Sequence, residues 1–285
     1  MKNILFFLTL LTMSITTTQA QKLENSTLWE ISGNGLNKAS YLFGTIHVSC
    51  DATLSKSVKE ALNKTTQTVL EIDMDDPTLQ SKMMNDMYMK DGKKLSDFVT
   101  DQEFAAIDSL FIKNVGISIK LVENFKPLFL TTMLLPKYLD CPMQSYETEI
   151  MNVAKKQKKD IKGLETIEEQ LKVFEDIPYE DQIKELVKSA KDNLTSDKKL
   201  LAKMLEVYDQ QDITKMLKMT YDEDSSVSGH QDKLLDNRNI NWIPRIEVFA
   251  KEKPTFFAVG AGHLAGENGV IVLLRKAGFT VKAVK

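Results

Sequence analysis

Tyr41-Leu42-Phe43-Gly44-Thr45-Ile46-His47 is the stretch on which the reading of this 285-residue chain turns. Its apolar and aromatic start suits a β-strand, and Gly44 is expected to let the backbone turn sharply behind it. His47 is then delivered just past the strand end, where open α/β sheets keep their ligands. One histidine so placed means little, but the pattern returns near the other terminus. There Thr255-Phe256-Phe257-Ala258-Val259 precedes Gly260-Ala261-Gly262-His263. The chain has three histidines, and two of them stand in a strand–Gly-x-x-His setting.

Outward from His47, the chain reads as α/β. Leu28 to Ile31 suits a strand, and Gly33-Asn34-Gly35 a turn that makes a hairpin with the stretch at Tyr41. Leu54, Val58 and Leu62 recur at helical spacing, and Thr68-Val69-Leu70-Glu71-Ile72-Asp73 is β-prone. Strand, helix and strand this close together predict a parallel βαβ unit with Glu71 near the same sheet edge as His47. A third strand, Asp160 to Glu165, runs into a helix whose start is marked by Thr166 and Glu169, a capping box. Glu165 thereby takes the same place in its unit as His47. The segment from about 78 to 150 is rich in Met, Leu and Lys and has no clear strand. It predicts a helical insertion broken near Pro127, Pro136 and Pro142, with Met74, Met83, Met84, Met87 and Met89 as helix-face or core filling.

Residues 180–220 read as helical and Tyr221 to Gly229 as a polar loop that leaves His230 solvated. Lys233 to Lys251 reads as a helix carrying Arg238, Asn239 and Trp242 and disturbed by Pro244. A helix at about 267–277 and a strand at Thr280 to Val284 close the chain. The expected architecture is a central, largely parallel sheet flanked by helices, one domain over residues 21–285 with the helical insertion.

Residues 1–20 read as an export signal: Lys2, a largely apolar run from Ile4 to Ile15, and Thr18-Gln19-Ala20 ending in a small residue. The apolar run is shorter than the roughly 20 residues of a membrane span. The mature protein is expected to be periplasmic or secreted, without stable membrane insertion after cleavage; an uncleaved anchor is the alternative. Without Lys2 the 37 basic residues become 36, against 40 acidic ones, a net charge of −4. That balance argues against nucleic acid as a partner. Cys50 and Cys141 are too few for a disulfide framework and leave two readings, one bridge or two buried thiols.

His47, Glu71, Glu165 and His263 share one address if their strands share one sheet. Two imidazoles with carboxylates suit Zn²⁺, Mn²⁺ or Co²⁺, and such an ion activates water. His47 and His263, with Glu71 or Glu165, are the candidate ligands. Glu71 and Glu165 are candidate catalytic carboxylates, and Arg238 is a candidate for offsetting charge on an oxyanion. Each of these residues has a plainer alternative as a hydrogen-bonded or ion-paired structural group. The turn at 260–266 also suggests a phosphate cradle, but its third Gly is one residue late and no second βα unit follows. Cys50 as a nucleophile beside His47 lacks a catalytic spacing.

Ser-Tyr-Leu-Phe-Gly-Thr-Ile-His (40–47), Val-Leu-Glu-Ile-Asp around Glu71, Gly-Leu-Glu-Thr-Ile-Glu-Glu-Gln around Glu165, Asn237-Arg238-Asn239 and Val-Gly-Ala-Gly-His-Leu-Ala-Gly around His263 follow in that order. Together they resemble the TraB/GumN family, which includes the pheromone-shutdown proteins and the Tiki metalloproteases of the Wnt pathway. The resemblance spans essentially the whole mature chain, and the two Gly-x-x-His motifs are its most specific part. It implies a metal-dependent hydrolase of the peptidase type, acting on a peptide or protein, with His47, His263 and Glu71 in the active site. Glu165 and Arg238 match family features as well. The alternative from another class is a protein that sequesters a peptide in the same crevice without turnover.

Overall fold

A computed structural model describes residues 23–221 and 228–285. The expected export segment and most of the polar loop after Tyr221 lie outside them. Six strands form one sheet: β1 (Leu28–Gly33), β2 (Ser40–Thr45), β3 (Gln67–Ile72), β4 (Asp160–Glu165), β5 (Thr255–Gly260) and β6 (Phe279–Ala283). Their spatial order is β4-β3-β5-β2-β1-β6. The β1–β2 and β1–β6 pairs are antiparallel, while β2–β5, β3–β5 and β3–β4 are parallel. Only β1 therefore runs against the others.

β2 and β3 are parallel as expected, but they are not neighbours. β5 lies between them, with Tyr41 opposite Phe256 and Thr68 opposite Phe256 on its other side. The physical reason is in the composition of β5. Its Thr-Phe-Phe-Ala-Val run is buried on both faces, which is the pattern of a central parallel strand. This insertion brings the second Gly-x-x-His motif between His47 and Glu71.

Alternation along the strands divides the core in two. Phe257, Val259, Leu42, Val69 and Leu164 face α10 (Asn237–Glu252) and α11 (Val270–Lys276), with Trp242, Ile246 and Leu274 in the same cluster. Phe256, Ala258, Tyr41, Phe43 and Leu70 face α1 (Lys56–Lys64) and α5 (Tyr146–Lys156). The segment before α5 is helical throughout its regular elements: α2 (Leu79–Asn85), α3 (Asp101–Asn114) and α4 (Pro127–Leu134). Its apolar faces pack with α7 (Tyr179–Asp192) in a third cluster that includes Ile107, Phe111, Leu130, Ile183 and Leu186. Of the clustered methionines only Met89 is deeply buried, and Met84 is 54 % exposed.

α6 (Ile167–Glu175) starts with the expected capping box, Thr166 Oγ1 accepting from Glu169 N–H at 3.1 Å and Glu169 accepting from Thr166 N–H at 2.9 Å. α8 (Thr195–Asp209) and α9 (Ile213–Thr220) complete the helical run. Pro244 does not break α10, which runs through it. Pro244 and Ile240, whose carbonyl loses its helical donor, are both on the exposed face, where water can replace the missing bond. Among the described residues no helix is long and apolar enough to cross a membrane.

Candidate active site

The carboxyl ends of the four parallel strands β4, β3, β5 and β2 carry Glu165, Glu71, the Gly260 turn and His47 in that spatial order. Two glycines let them meet. A Cβ on Gly44 would lie 2.6 Å from Leu264 Cδ1 and 3.1 Å from Ala261, so β2 packs directly on the turn that carries His263. Gly44 is thus needed for close approach inside the strand rather than for the sharp turn its sequence suggested. Reciprocally, a Cβ on Gly260 would lie 3.3 Å from Glu71 Oε1, 3.5 Å from His47 Nε2 and 3.7 Å from His263 Cδ2. Each motif's glycine leaves room for the other motif's chemistry, and Gly260 marks the point on which the three candidate ligands converge.

His47 is the solvent face of this point, its side chain 64 % exposed. Its Nδ1 pairs with Glu147 Oε1 at 2.8 Å. Glu147 sits in the first turn of α5, where the helix dipole favours a carboxylate, and it also accepts from Thr45 Oγ1 at 2.6 Å and Ser145 Oγ at 2.7 Å. The surrounding protein disfavours charge on His47, but the hydrogen bond and charge of Glu147, with help from Glu71, outweigh this and raise its pKa to about 9. Glu147 is held in register from outside. Ser49 and Gln144 exchange two backbone hydrogen bonds, and Cys50 and Cys141 are joined by a disulfide with Cα atoms 5.7 Å apart. Of the two readings left open for the cysteines, the structure takes the bridge.

His263 is the opposite. Its side chain is 5 % exposed, and its ring lies against Trp242 with centroids 4.5 Å apart. Asn239 Nδ2 donates to Asn268 C=O at 2.8 Å, so Asn239 Oδ1 faces His263 Nδ1 at 2.6 Å and needs a proton there. On the other side Arg238 Nη1, which can only donate, lies 3.2 Å from His263 Nε2. Both neighbours dictate one neutral tautomer with the proton on Nδ1. Burial, reinforced by the charges of Arg238 and His47 and opposed by Glu71, lowers its pKa to about 3.

Arg238 is the hub of the buried half. A π-helical turn (Asp232–Asp236) leads into α10, and Leu234 C=O accepts from Arg238 Nη1 at 3.0 Å. Its Nη2 donates to Glu71 Oε2 at 2.7 Å and to Glu165 Oε1 as well, while Nε donates to Glu165 Oε1 at 3.0 Å. Glu165 Oε2 accepts from Trp242 Nε1 at 3.0 Å, so both oxygens of this carboxylate are engaged. Its place is to hold Arg238. Glu71 Oε1 accepts from Gly260 N–H at 2.7 Å and lies 3.7 Å from His263 Nε2. Burial works against the charge of Glu71, but His263, charged itself only in acid below about pH 3, together with Arg238 and His47 holds its pKa down at about 2. Gln170 bridges the two carboxylates, with Nε2 3.2 Å from Glu71 Oε2 and 3.2 Å from Glu165 Oε1.

The structure therefore brings together His47, Glu71, Glu165, Arg238 and His263. In this arrangement no group of three His, Cys, Asp or Glu among the described residues is placed to hold a metal ion. The third histidine stands apart: His230 pairs with Asp181 of α7 at 3.4 Å, and its side chain is 16 % exposed rather than solvated. Three residues went unread in the sequence. Glu147 carried a helix-start signal in Ser145-Tyr146-Glu147 but nothing that pointed to His47. Gln170 and Asn239 stood inside quoted motifs without a role. Cavities of about 590 and 230 Å³ reach Glu165 from outside, and neither is lined by His47, Glu71 or His263.

A family model for TraB/PrgY/gumN matches residues 27–283. The chain belongs to the TraB/PrgY/gumN family. Searches of curated proteins and of solved structures return no match. Membership covers all five converging residues and both Gly-x-x-His turns, and it is compatible with a hydrolase.

Proposed function

We propose that this family member is an exported metal-dependent hydrolase that cleaves peptide bonds. The observation that carries the reading is the convergence of His47 Nε2, Glu71 Oε1 and the His263 ring on the side-chain-free position of Gly260. Each histidine has its Nδ1 engaged by Glu147 or Asn239, the outer hydrogen bond that orients a ligating imidazole through Nε2. Charge supports the same reading. With both imidazoles neutral, Glu71, Glu147 and Glu165 against Arg238 leave −3 + 1 = −2 in the site, which a divalent cation neutralises. Without the cation, the proton on His47 offsets part of that charge.

His47, His263 and Glu71 would hold the ion, Mn²⁺, Co²⁺ or Zn²⁺. When bound, such an ion lowers the pKa of water to about 7 and polarises a carbonyl. For His263 to serve, Arg238 Nη1 must release its Nε2, and the guanidinium keeps its bonds to Leu234, Glu71 and Glu165. A carboxylate held near pKa 2 is a weak base, so Glu71 suits the ligand role better than proton abstraction. Arg238, fixed by Glu165, supplies the positive charge that opposes an oxyanion. His47, as the exposed member, is the first that a substrate meets. The disulfide supports export, since such bonds persist in oxidising compartments.

The test is metal analysis of the purified mature protein after reconstitution with Mn²⁺, Co²⁺ or Zn²⁺, followed by a peptide hydrolysis assay. About one ion per chain with turnover is the expected result. Less than about 0.2 ion per chain sinks the metal site, because a formed site fills under these conditions. One ion per chain with peptide bound but never cut marks the protein as a sequestering one.

A further inference from the structure

The candidate site occupies the carboxyl ends of the strands, yet an apolar hollow of about 590 Å³ beside it lies along the edge of the sheet. Among the described residues β4 is an outer strand, paired only with β3. On its open side Leu164 C=O accepts from Arg245 Nη1 at 2.6 Å, a side chain where an inner strand would have a backbone partner. Backbone groups alternate along a strand, so the N–H and C=O of Lys162 face the same open side. The cavity of about 590 Å³ runs beside this edge, lined by the residues from Lys162 to Ile167. Its walls are Ile72 and Leu79 on one side and Pro244, Val248 and Phe249 of α10 on the other. Val248 is 66 % exposed, an apolar side chain with nothing packed over it. The lining holds three acids, Asp73, Asp76 and Glu165, the last paired with Arg238, and three bases, Lys82, Lys162 and Arg245. Lys82 and Asp76 pair at 3.2 Å and Arg245 pairs with Glu169, so most of this charge is matched within the protein. A groove of this size with internally matched charge suits apolar side chains on a backbone that needs hydrogen bonds.

We propose that this groove is a docking site for an extended peptide with apolar side chains, whose main chain adds to the free edge of β4. It rests on the peptidase reading above and names how that substrate is held. Glu165 is part of the groove lining, and Arg238 Nη2 donates to both Glu165 and Glu71. One guanidinium therefore joins the Glu165 stretch of the groove to the carboxylate beside Gly260. A peptide laid along β4 towards its carboxyl end arrives at the crevice with its side chains already chosen by the groove. Arg245 gives up Leu164 C=O to a strand N–H and keeps its two bonds to Glu169.

The probe is acetyl-Val-Thr-Val-Thr-Val-amide, titrated into the ¹⁵N-labelled, metal-free mature protein so that no turnover intervenes. Saturable amide shifts at Lys162 to Thr166 and at Val248 are expected, with slowed exchange at Lys162 N–H. Val248→Asp and, on the facing wall, Leu79→Asp each weaken binding at least about tenfold, since a carboxylate must be desolvated under an apolar side chain. Leu121→Asp, at a residue 73 % exposed and outside the groove, leaves binding unchanged. Shifts confined to His47, Gly260 and His263, wild-type binding by both groove variants, or no saturation at millimolar peptide overturns the docking site. Lys162 and Arg245 are then only guards against edge pairing. Hydrolysis by metal-loaded protein without β4 shifts removes the docking site and keeps the peptidase. β4 shifts without hydrolysis of any peptide keep the docking site and remove the peptidase.

Discussion

The two Gly-x-x-His turns are near copies in sequence and opposites in environment. His47 is exposed, keeps its proton at neutral pH and is oriented by a carboxylate from α5. His263 is buried, neutral and oriented by an amide from α10. The same four-residue motif thus yields a charged rim and an uncharged floor. The difference comes from what packs on each turn. A disulfide-tied segment brings Glu147 to the first, and Trp242, Asn239 and Arg238 enclose the second. A short motif delivers a side chain to a place, and its protonation state is written by residues on other elements.

The strongest way to break this comparison is to remove each histidine. His47→Ala and His263→Ala should each abolish metal binding and peptide hydrolysis, and the double variant should be no worse, as for groups acting as one unit. Stability should separate them. His47→Ala should lose the stability of the Glu147 pair at neutral pH and match the wild type above about pH 9, whereas His263→Ala leaves Asn239 Oδ1 and a buried ring site unpartnered and should cost about 1–3 kcal/mol by denaturant unfolding at any pH above about 6.5. Additive partial losses of activity would mean that the two turns serve different sites.

The disulfide tests the rim alone. Its partners are 91 positions apart, and the Cys50→Ser/Cys141→Ser pair should lose about 4 kcal/mol in the chain-entropy model. In NMR spectra the His47 ring signals should shift while those of His263 stay in place. Equal movement of both would show that the staple supports the whole sheet edge and not Glu147 in particular.

Next in size are the orienting residues. Glu147→Ala and Asn239→Ala should each reduce metal affinity about 10–100-fold, the usual cost of losing an outer partner of a ligating histidine. Metal titration of the two variants measures it. An unchanged affinity in Glu147→Ala would leave His47 outside the ligand set.

A pH titration of the metal-free protein sharpens the contrast without any mutation. His47, raised by Glu147 and Glu71 against the opposing effects of its surroundings and Arg238, should keep its proton until about pH 9. Its contribution to stability is complete below its ordinary pKa of about 6.5 and is lost as pH rises through 9. His263, lowered by burial and by Arg238, should remain neutral down to about pH 3. The unfolded chain protonates this residue first, so its effect runs the other way, with stability lost as pH falls from about 6.5 towards 3. Two imidazole resonances titrating together near 6.5 would erase the distinction. The smallest effect belongs to His230→Ala, which removes one 3.4 Å contact to Asp181 and should leave metal content and hydrolysis unchanged.

Much of this was legible along the chain. The strand stretches, the capping box at Thr166, the hairpin into β2 and the βα order follow from period, turn residues and caps, which are local properties. The converging residues were legible too, because each stands beside a strand end and a recognisable motif. The strand order was not. That β5 enters between β2 and β3 depends on which strand is most apolar on both faces relative to the others, a comparison across the whole sheet. Glu147 was invisible for a similar reason. It lies 100 positions from His47, inside a helical segment, and its only local mark is a helix start. Gly44 invited a local reading as a turn, while its actual constraint is Leu264 from the far end of the chain.

The sequence by itself therefore determined the elements, the family and the side chains sent to the carboxyl edge, since hydrophobic period, caps and motifs are encoded within a few residues of one another. Tertiary structure alone decided which neighbours those side chains meet: Glu147 for His47, Asn239 for His263, and Arg238 between two carboxylates. Those pairings set charge, tautomer and burial, and they act over a few ångströms between residues from about 25 to nearly 170 positions apart. Electrostatics depends on distance in space, and only the packed sheet converts sequence separation into that distance.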